Sequence, residues 1–337
     1  MQDRLLFLIG SPRSGSTLLA RMIGAHPSIY APPEPHLVTP LAHLGYYESV
    51  ERAPYDPIIT REAAKALVAA LPGGEADYLD ALRACSDTIY SRLLEASGAE
   101  LLLDKTPAYA LVLDFLAKLY PRARYVVLTR HPLAVWSSYV DSFFDGDFEA
   151  AHAHNPLLER YVPAVARFLR ERPVSLVHVR YEDLVREPAE ELSRVCNELS
   201  IAFHERMIEY GGEGLARPAA ARGLGDPITV AREKRPTTRS LAKWAEALAG
   251  HPGRIDQSRR ILDALDDADL ETWGYRRAEI AAELDALPLD GPRKPAPRLD
   301  RYRFERRLLV LLRRNIHHNA FGRLVRRVRN VCDVLLR

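Results

Sequence analysis

Four short stretches of this chain carry residues whose types and spacing could do chemistry. In "LLFLIGSPRSGSTL" (5–18), strand-like hydrophobics run into Gly10, four residues follow, and then come Gly15, Ser16 and Thr17. That is the outline of a phosphate-binding loop, in which backbone N–H groups and the N-terminus of the next helix face an anion. Thr17 adds a hydroxyl and Arg13 a charged fork, with Ser14 between them in the loop. Ser16 stands where the pattern G-x-x-x-x-G-K-[ST] has its lysine. That lysine serves β- and γ-phosphates and the adjacent hydroxyl serves magnesium, so its absence points to a donor with no γ-phosphate and no required metal.

The second stretch is "VVLTRHPLAVWSSY" (126–139), where Arg130 ends a strand and Pro132 fits the first turn of the next helix. Ser138 lies two turns into that helix, so guanidinium and hydroxyl could pinch a second phosphate away from the first loop. Taken alone, an Arg and a Ser eight residues apart are a surface arginine and a helix serine. The third is "YAPPEPHL" (30–37), in which Pro32, Pro33 and Pro35 frame Glu34 and restrict its backbone. Without context, a glutamate among prolines is an exposed loop residue. The fourth is "LLLDKTPAY" (101–109), where Lys105 directly follows a strand. Asp104 either pairs with that lysine or caps the following helix, and the sequence does not choose between the two.

The elements that must position these residues alternate along the chain. Strands are expected at Leu5–Ile9, near Ser28–Ala31, and at Leu101–Leu103, Tyr125–Thr129 and Val174–Val179. They are aliphatic without alternation, as parallel strands buried on both faces are. Helical patterns cover 16–25, 60–70, 76–97, 108–119, 132–143, 156–171 and 188–199, with further segments at 239–249 and 255–266. The fold class is therefore α/β: a doubly wound parallel sheet flanked by helices, with ligands at the carboxyl ends of the strands. Residues 211–240, rich in Gly, Pro and Arg, are expected to form a long loop or lid.

Composition narrows the function classes. The 337 residues are ordinary for a soluble globular protein. No run approaches the ~18 apolar residues of a membrane helix, and no signal peptide is legible, so a cytoplasmic location is expected. Cys85, Cys196 and Cys332 are too few and too scattered for a disulfide framework. No metal-ligand spacing occurs, and no metal is expected. His152 and His154, two apart in a polar stretch, are expected to be solvated. Residues 291–337 carry a charge balance of +11 and the rest of the chain −9.

The loop at 10–17 and the Arg130/Ser138 pair, in that order, resemble the sulfotransferase family that uses 3′-phosphoadenosine 5′-phosphosulfate (PAPS). "SPRSGSTLL" is similar to its 5′-phosphosulfate loop and "TRHPLAVWSS" to its 3′-phosphate motif. The likeness runs over roughly 4–275 and takes in "VRYEDLVREP" (179–188) and "LETWGY" (270–275). It implies a P-loop-like sulfotransferase fold, PAPS as co-substrate and an acceptor hydroxyl. It also implies donor contacts from Arg13, Ser14, Gly15, Ser16, Thr17, Arg130 and Ser138, and an adenine contact from Tyr181. Glu34, 21 residues after Arg13, and Lys105, 25 before Arg130, match the base and the sulfuryl-contacting lysine of the tyrosylprotein branch. With Arg13 these form the implied catalytic set. His36 is the rival base, since cytosolic relatives use a histidine, at a position that does not match. The "RKG"-like cover of the 3′-phosphate is absent, and Lys234 and Arg235 could substitute from the lid.

A kinase-like phosphotransferase and a non-catalytic nucleotide-binding interaction protein are the competing readings. The first must explain Ser16 and finds no role for Arg130 and Ser138. Three regions are expected: a sulfotransferase domain (1–285), a linker (286–302) and a basic amphipathic helical tail (303–337). The tail is expected to pack on the body or a second copy, or to lie on an anionic membrane; nucleic acid is not an expected partner. The acceptor class stays open among small-molecule, glycan, lipid and peptide hydroxyls.

Overall fold

The computed structural model describes residues 1–48, 57–210 and 234–289. Its strands are β1 (Leu5–Gly10), β2 (Ile29–Tyr30), β3 (Leu101–Asp104), β4 (Arg124–Thr129) and β5 (Leu176–Arg180). All pair in parallel, in the order β2-β3-β1-β4-β5. Phe7 is in register with Asp104 on one side and Tyr125 on the other. The carboxyl ends that carry Gly10, Asp104 and Thr129 therefore share one edge of the sheet.

Successive side chains of a strand face opposite ways, and both faces are covered. Leu5, Phe7, Ile9, Tyr125, Val127 and Leu176 enter one core, while Leu6, Leu8, Val126, Leu128, Val177 and Val179 enter the other. The helix after β1, Ser16–Gly24, packs in the second core through Leu18, Leu19, Met22 and Ile23. The helices after β3 and β4, Leu113–Leu119 and Pro132–Phe144, pack in the first. Neighbouring strands thus send their chains to opposite faces, which opens a crevice at the carboxyl edge between β1 and its two neighbours.

The expected strands match the observed ones to within two residues, and the doubly wound parallel sheet is as expected. The segment 108–119 is not one helix. A 3-10 turn at Pro107–Leu111 precedes the helix Leu113–Leu119, with Val112 between them at φ −130. Thr106 is extended before Pro107, as the residue ahead of a proline is disposed to be. Likewise, 239–249 divides into a 3-10 turn at Thr238–Ser240 and a helix at Lys243–Leu248. Short helices at Phe148–His154, Tyr181–Arg186, Asp267–Trp273 and Arg277–Asp285 are additions, and the first holds His152 and His154, which are therefore not in a solvated loop; His152 Nε2 lies 2.6 Å from Glu159 Oε1. Most of the expected lid (211–233), the linker from 290 onward and the whole tail lie outside the described residues.

Candidate active site

The chain leaves β1 at Gly10 and turns through Ser11–Gly15 into the helix Ser16–Gly24. Two residues of the turn have left-handed backbone, Arg13 at φ 68 and Gly15 at φ 98. At Gly15 an added Cβ would stand 2.3 Å from Tyr181 Cδ2, so the ring of Tyr181 lies directly on the loop. No side chain caps the helix start, which leaves its first N–H groups for a ligand. Among the described residues, Ser11 Oγ, Ser14 Oγ and Arg130 Nε are buried without a hydrogen-bonding partner. Such groups each cost roughly 1–3 kcal/mol when left unmade. The two hydroxyls lie inside the turn, whereas Arg130 lines the cavity beside the open helix start, where a guanidinium suits phosphate oxygens.

Arg130 follows β4 and is buried. Its guanidinium donates to the carbonyls of Arg13 and Ser240, each at 3.1 Å, and lies 4.3 Å from the centre of the Tyr181 ring. Burial lowers its pKa from the ordinary arginine value. Arg13 Nε donates to Ser138 Oγ at 3.0 Å, so Arg13 links the loop to the Arg130–Ser138 pair. Tyr181 Oη and Ser240 Oγ are 2.6 Å apart.

The backbone at Arg130 is held from behind. Trp273 Nε1 donates to the Arg130 carbonyl at 2.8 Å, and His131 N–H donates to Glu182 Oε1 at 3.0 Å. Glu182 also accepts from Tyr275 Oη. The stretches "VRYEDL" and "LETWGY" are thereby accounted for: Tyr181 touches the site, while Glu182, Trp273 and Tyr275 fix the chain that carries Arg130.

On the opposite side of the loop, Lys105 Nζ pairs with Glu34 Oε1, and both side chains are about nine-tenths buried. The same Nζ lies 3.4 Å from Thr17 Oγ1. A lysine does reach the phosphate loop here, from β3 and not from position 16. His36 Nε2 stands 3.5 Å from Glu34 Oε2, with His36 itself left-handed at φ 51. Asp104 neither pairs with Lys105 nor caps a helix. It accepts from the hydroxyls of Tyr90, Tyr109 and Thr106.

One cavity of about 660 Å³ brings these parts together. Arg13, Gly15, Ser16, Thr17, Glu34, His36, Arg130, Ser138 and Tyr181 all line it. Ser14 is buried beneath the loop, and Lys105 reaches the site through its ammonium. The expected cover from Lys234 and Arg235 is not found in the wall. Those two do not line the cavity, whereas Thr237, Arg239, Ser240, Lys243 and Trp244 do. Arg235 instead lies 3.7 Å from Glu209. Arg239 lies in the 3-10 turn and Lys243 opens the helix that follows, and in "TTRSLAKW" no spacing rule singles them out. Asp141, Phe143 and Tyr161 also line the cavity and carry no legible signature.

A parallel sheet with a phosphate-loop-like turn after β1 and an arginine and a serine after β4 facing the same cavity is a P-loop-like α/β architecture. The chain belongs to the sulfotransferase family, whose model matches residues 6–205. It is 31% identical over 284 residues to the nodulation protein NoeE of Sinorhizobium fredii (strain NBRC 101917 / NGR234), across 83% of this chain and 61% of that protein. It therefore spans less than two thirds of that relative's length. The sulfotransferase domain from the curacin biosynthetic pathway shares the fold, with a TM-score of 0.52 at 24% identity over 77% of this chain and 95% of the domain. The sulfotransferase domain of the Synechococcus PCC 7002 olefin synthase is 28% identical over 71% of this chain and 86% of that domain, with a TM-score of 0.49. Among the described residues no helix is long and apolar enough to cross a membrane, and no group of three or more His, Cys, Asp or Glu is arranged to hold a metal ion.

Proposed function

We propose that this sulfotransferase takes its sulfuryl group from PAPS and delivers it to an acceptor hydroxyl by in-line displacement. The observation that carries the reading is the meeting of three sets of groups in one cavity: the loop at 10–17, the Arg130–Ser138–Tyr181 cluster, and the Glu34–Lys105 pair. A donor with phosphates at both 3′ and 5′ positions needs two separate anion sites, and the loop at 10–17 and the Arg130–Ser138 pair supply the groups for one each. The unpartnered Arg130 Nε, on a residue that lines the cavity, fits that donor, because a phosphate oxygen supplies the acceptor it lacks. PAPS brings a sulfuryl group on a good leaving nucleotide.

The chain's own residues would act as follows. Loop N–H groups, Ser16 and Thr17 hold the 5′ end, with Arg13 beside it. Arg130 and Ser138 hold the 3′-phosphate, Tyr181 meets the adenine side, and Arg239 and Lys243 add positive charge from the cover. Glu34 takes the acceptor proton as the new oxygen–sulfur bond forms. Lys105 stabilises charge on the sulfuryl oxygens and on the departing phosphate. Lys105 pairs with Glu34 and also lies 3.4 Å from Thr17 Oγ1, so donor oxygens beside Thr17 would compete for the same ammonium. That competition frees the carboxylate when the donor is in place. General-base help contributes about 10²–10⁴ in rate, and each preorganised donor roughly 3–4 kcal/mol of barrier lowering.

The test is Glu34→Gln, assayed by release of adenosine 3′,5′-bisphosphate from PAPS with pooled phenol, sugar, lipid and peptide hydroxyls. Turnover falls by about 10²–10⁴ while calorimetry shows the bisphosphate binding as in the parent. A variant that retains near-parental turnover overturns the assignment of the base.

A further inference from the structure

β3 ends on Asp104, whose side chain is fully buried. Its Oδ2 accepts from Tyr90 Oη at 2.6 Å and Tyr109 Oη at 3.0 Å, and its Oδ1 accepts from Thr106 Oγ1 at 3.0 Å. Two of these hydroxyls carry the connection onward. Thr106 Oγ1 accepts the His36 N–H at 3.2 Å, and Tyr109 Oη accepts the Val38 N–H at 3.0 Å. One carboxylate thus reaches, through two hydroxyls, two backbone donors in the segment that follows Glu34.

The direction of every bond in this relay is set by the carboxylate. An ionised Asp only accepts, so the Thr106 and Tyr109 protons must turn toward it. Their lone pairs are then left for the His36 and Val38 N–H groups. A neutral amide at 104 would present a donor in place of one acceptor and leave one arm wrongly polarised. Bonds to an ionised acceptor are also the stronger kind, which offsets part of the cost of burying the charge. The segment being held needs holding: His36 is non-glycine at φ 51, a backbone region costing about 1–3 kcal/mol unless the surroundings fix it.

We propose that Asp104 is the positioning residue of this site, holding the Glu34–Val38 segment through Thr106 and Tyr109 so that Glu34 meets Lys105. Base and partner lysine are then registered by two adjacent residues at one strand end. Asp104 touches no substrate. The inference rests on Glu34 being the base.

The experiment uses the full chain at about pH 7.5, above the range in which buried carboxylates of this kind take up a proton. Amide hydrogen exchange is followed at His36 and Val38 in Thr106→Val, Tyr109→Phe, the double variant and Asp104→Asn. Exchange at these amides rises about five- to ten-fold for each arm removed, and Thr106→Ser restores the parental value at His36. Binding of adenosine 3′,5′-bisphosphate stays within about two-fold of the parent. PAPS turnover with the acceptor pool falls through kcat, with KM for PAPS unchanged, in Thr106→Val and not in Thr106→Ser. If Asp104→Asn does not fold, the hydroxyl variants carry the test alone. Unchanged exchange at both amides in the double variant overturns the relay, and raised exchange with unchanged kcat overturns its positioning role. Glu34→Gln leaves exchange at His36 and Val38 as in the parent. Retained turnover in that variant therefore sinks the assignment of the base while leaving the relay standing.

Discussion

At Gly15 a single methyl group would stand 2.3 Å from Tyr181 Cδ2, and the backbone there has φ 98, so alanine is opposed by both contact and conformation. Gly15→Ala is expected to cost roughly 1–3 kcal/mol of stability and to weaken binding of adenosine 3′,5′-bisphosphate at least about ten-fold, measured by denaturant unfolding and calorimetry. Parental affinity in the folded variant would mean that the loop does not cradle the phosphate. This residue and its loop neighbours were legible in the sequence because phosphate binding by backbone requires glycine at fixed spacing. Arg130 and Ser138 stood out only through the family resemblance, since an arginine and a serine eight residues apart are ordinary by themselves. The Arg13–Ser138 bond that joins the two sites, and the nearness of Lys105 to Thr17, were not legible. Both depend on how neighbouring strands place their ends, which spacing along one chain does not encode.

The strand ends are where element-scale chemistry concentrates. Burial raises the Asp104 carboxyl from 3.8 to about 6, against the opposing pull of the Tyr90, Tyr109 and Thr106 hydroxyls. Between about pH 4 and 6 the folded chain therefore holds a proton that the unfolded chain has released. Stability from this group falls as pH rises through that window and is level above it. At about 1.4 kcal/mol per pKa unit the effect is on the order of 3 kcal/mol. Asp104→Asn removes the slope: urea unfolding at about pH 4.5 and 7.5 should show the difference between parent and variant shifting against the parent at the higher pH. A difference that does not move with pH contradicts the raised value. The five strands were legible to within two residues because aliphatic runs buried on both faces stand out. The break at Val112 was not, because Tyr109 is committed to Asp104 and Val38, contacts remote from the local helical pattern. The cover was sought at Lys234 and Arg235 because adjacent cations resemble the missing signature. The wall instead uses Arg239 and Lys243, which a 3-10 turn and the start of the next helix bring to the cavity.

Over the whole molecule, charge is distributed against the general trend. The chain before residue 291 carries a balance of −9, yet Arg13, Lys105, Arg130, Arg239 and Lys243 converge on one edge of the sheet. On the proposed reading, attraction for the donor comes from these nearby cations, and added salt should weaken binding only in proportion to these few contacts. The central claim is that the second anion site, built on Arg130, selects a 3′-phosphate. Its most direct test needs no acceptor: calorimetric titration of adenosine 3′,5′-bisphosphate and, separately, ADP into the full chain without magnesium. The account predicts that the bisphosphate binds at least about ten-fold more tightly than ADP, as loss of charge-assisted hydrogen bonds implies, and that Arg130→Ala abolishes the preference. Equal binding of the two nucleotides, or a preference for ADP that Arg130→Ala leaves untouched, would contradict it.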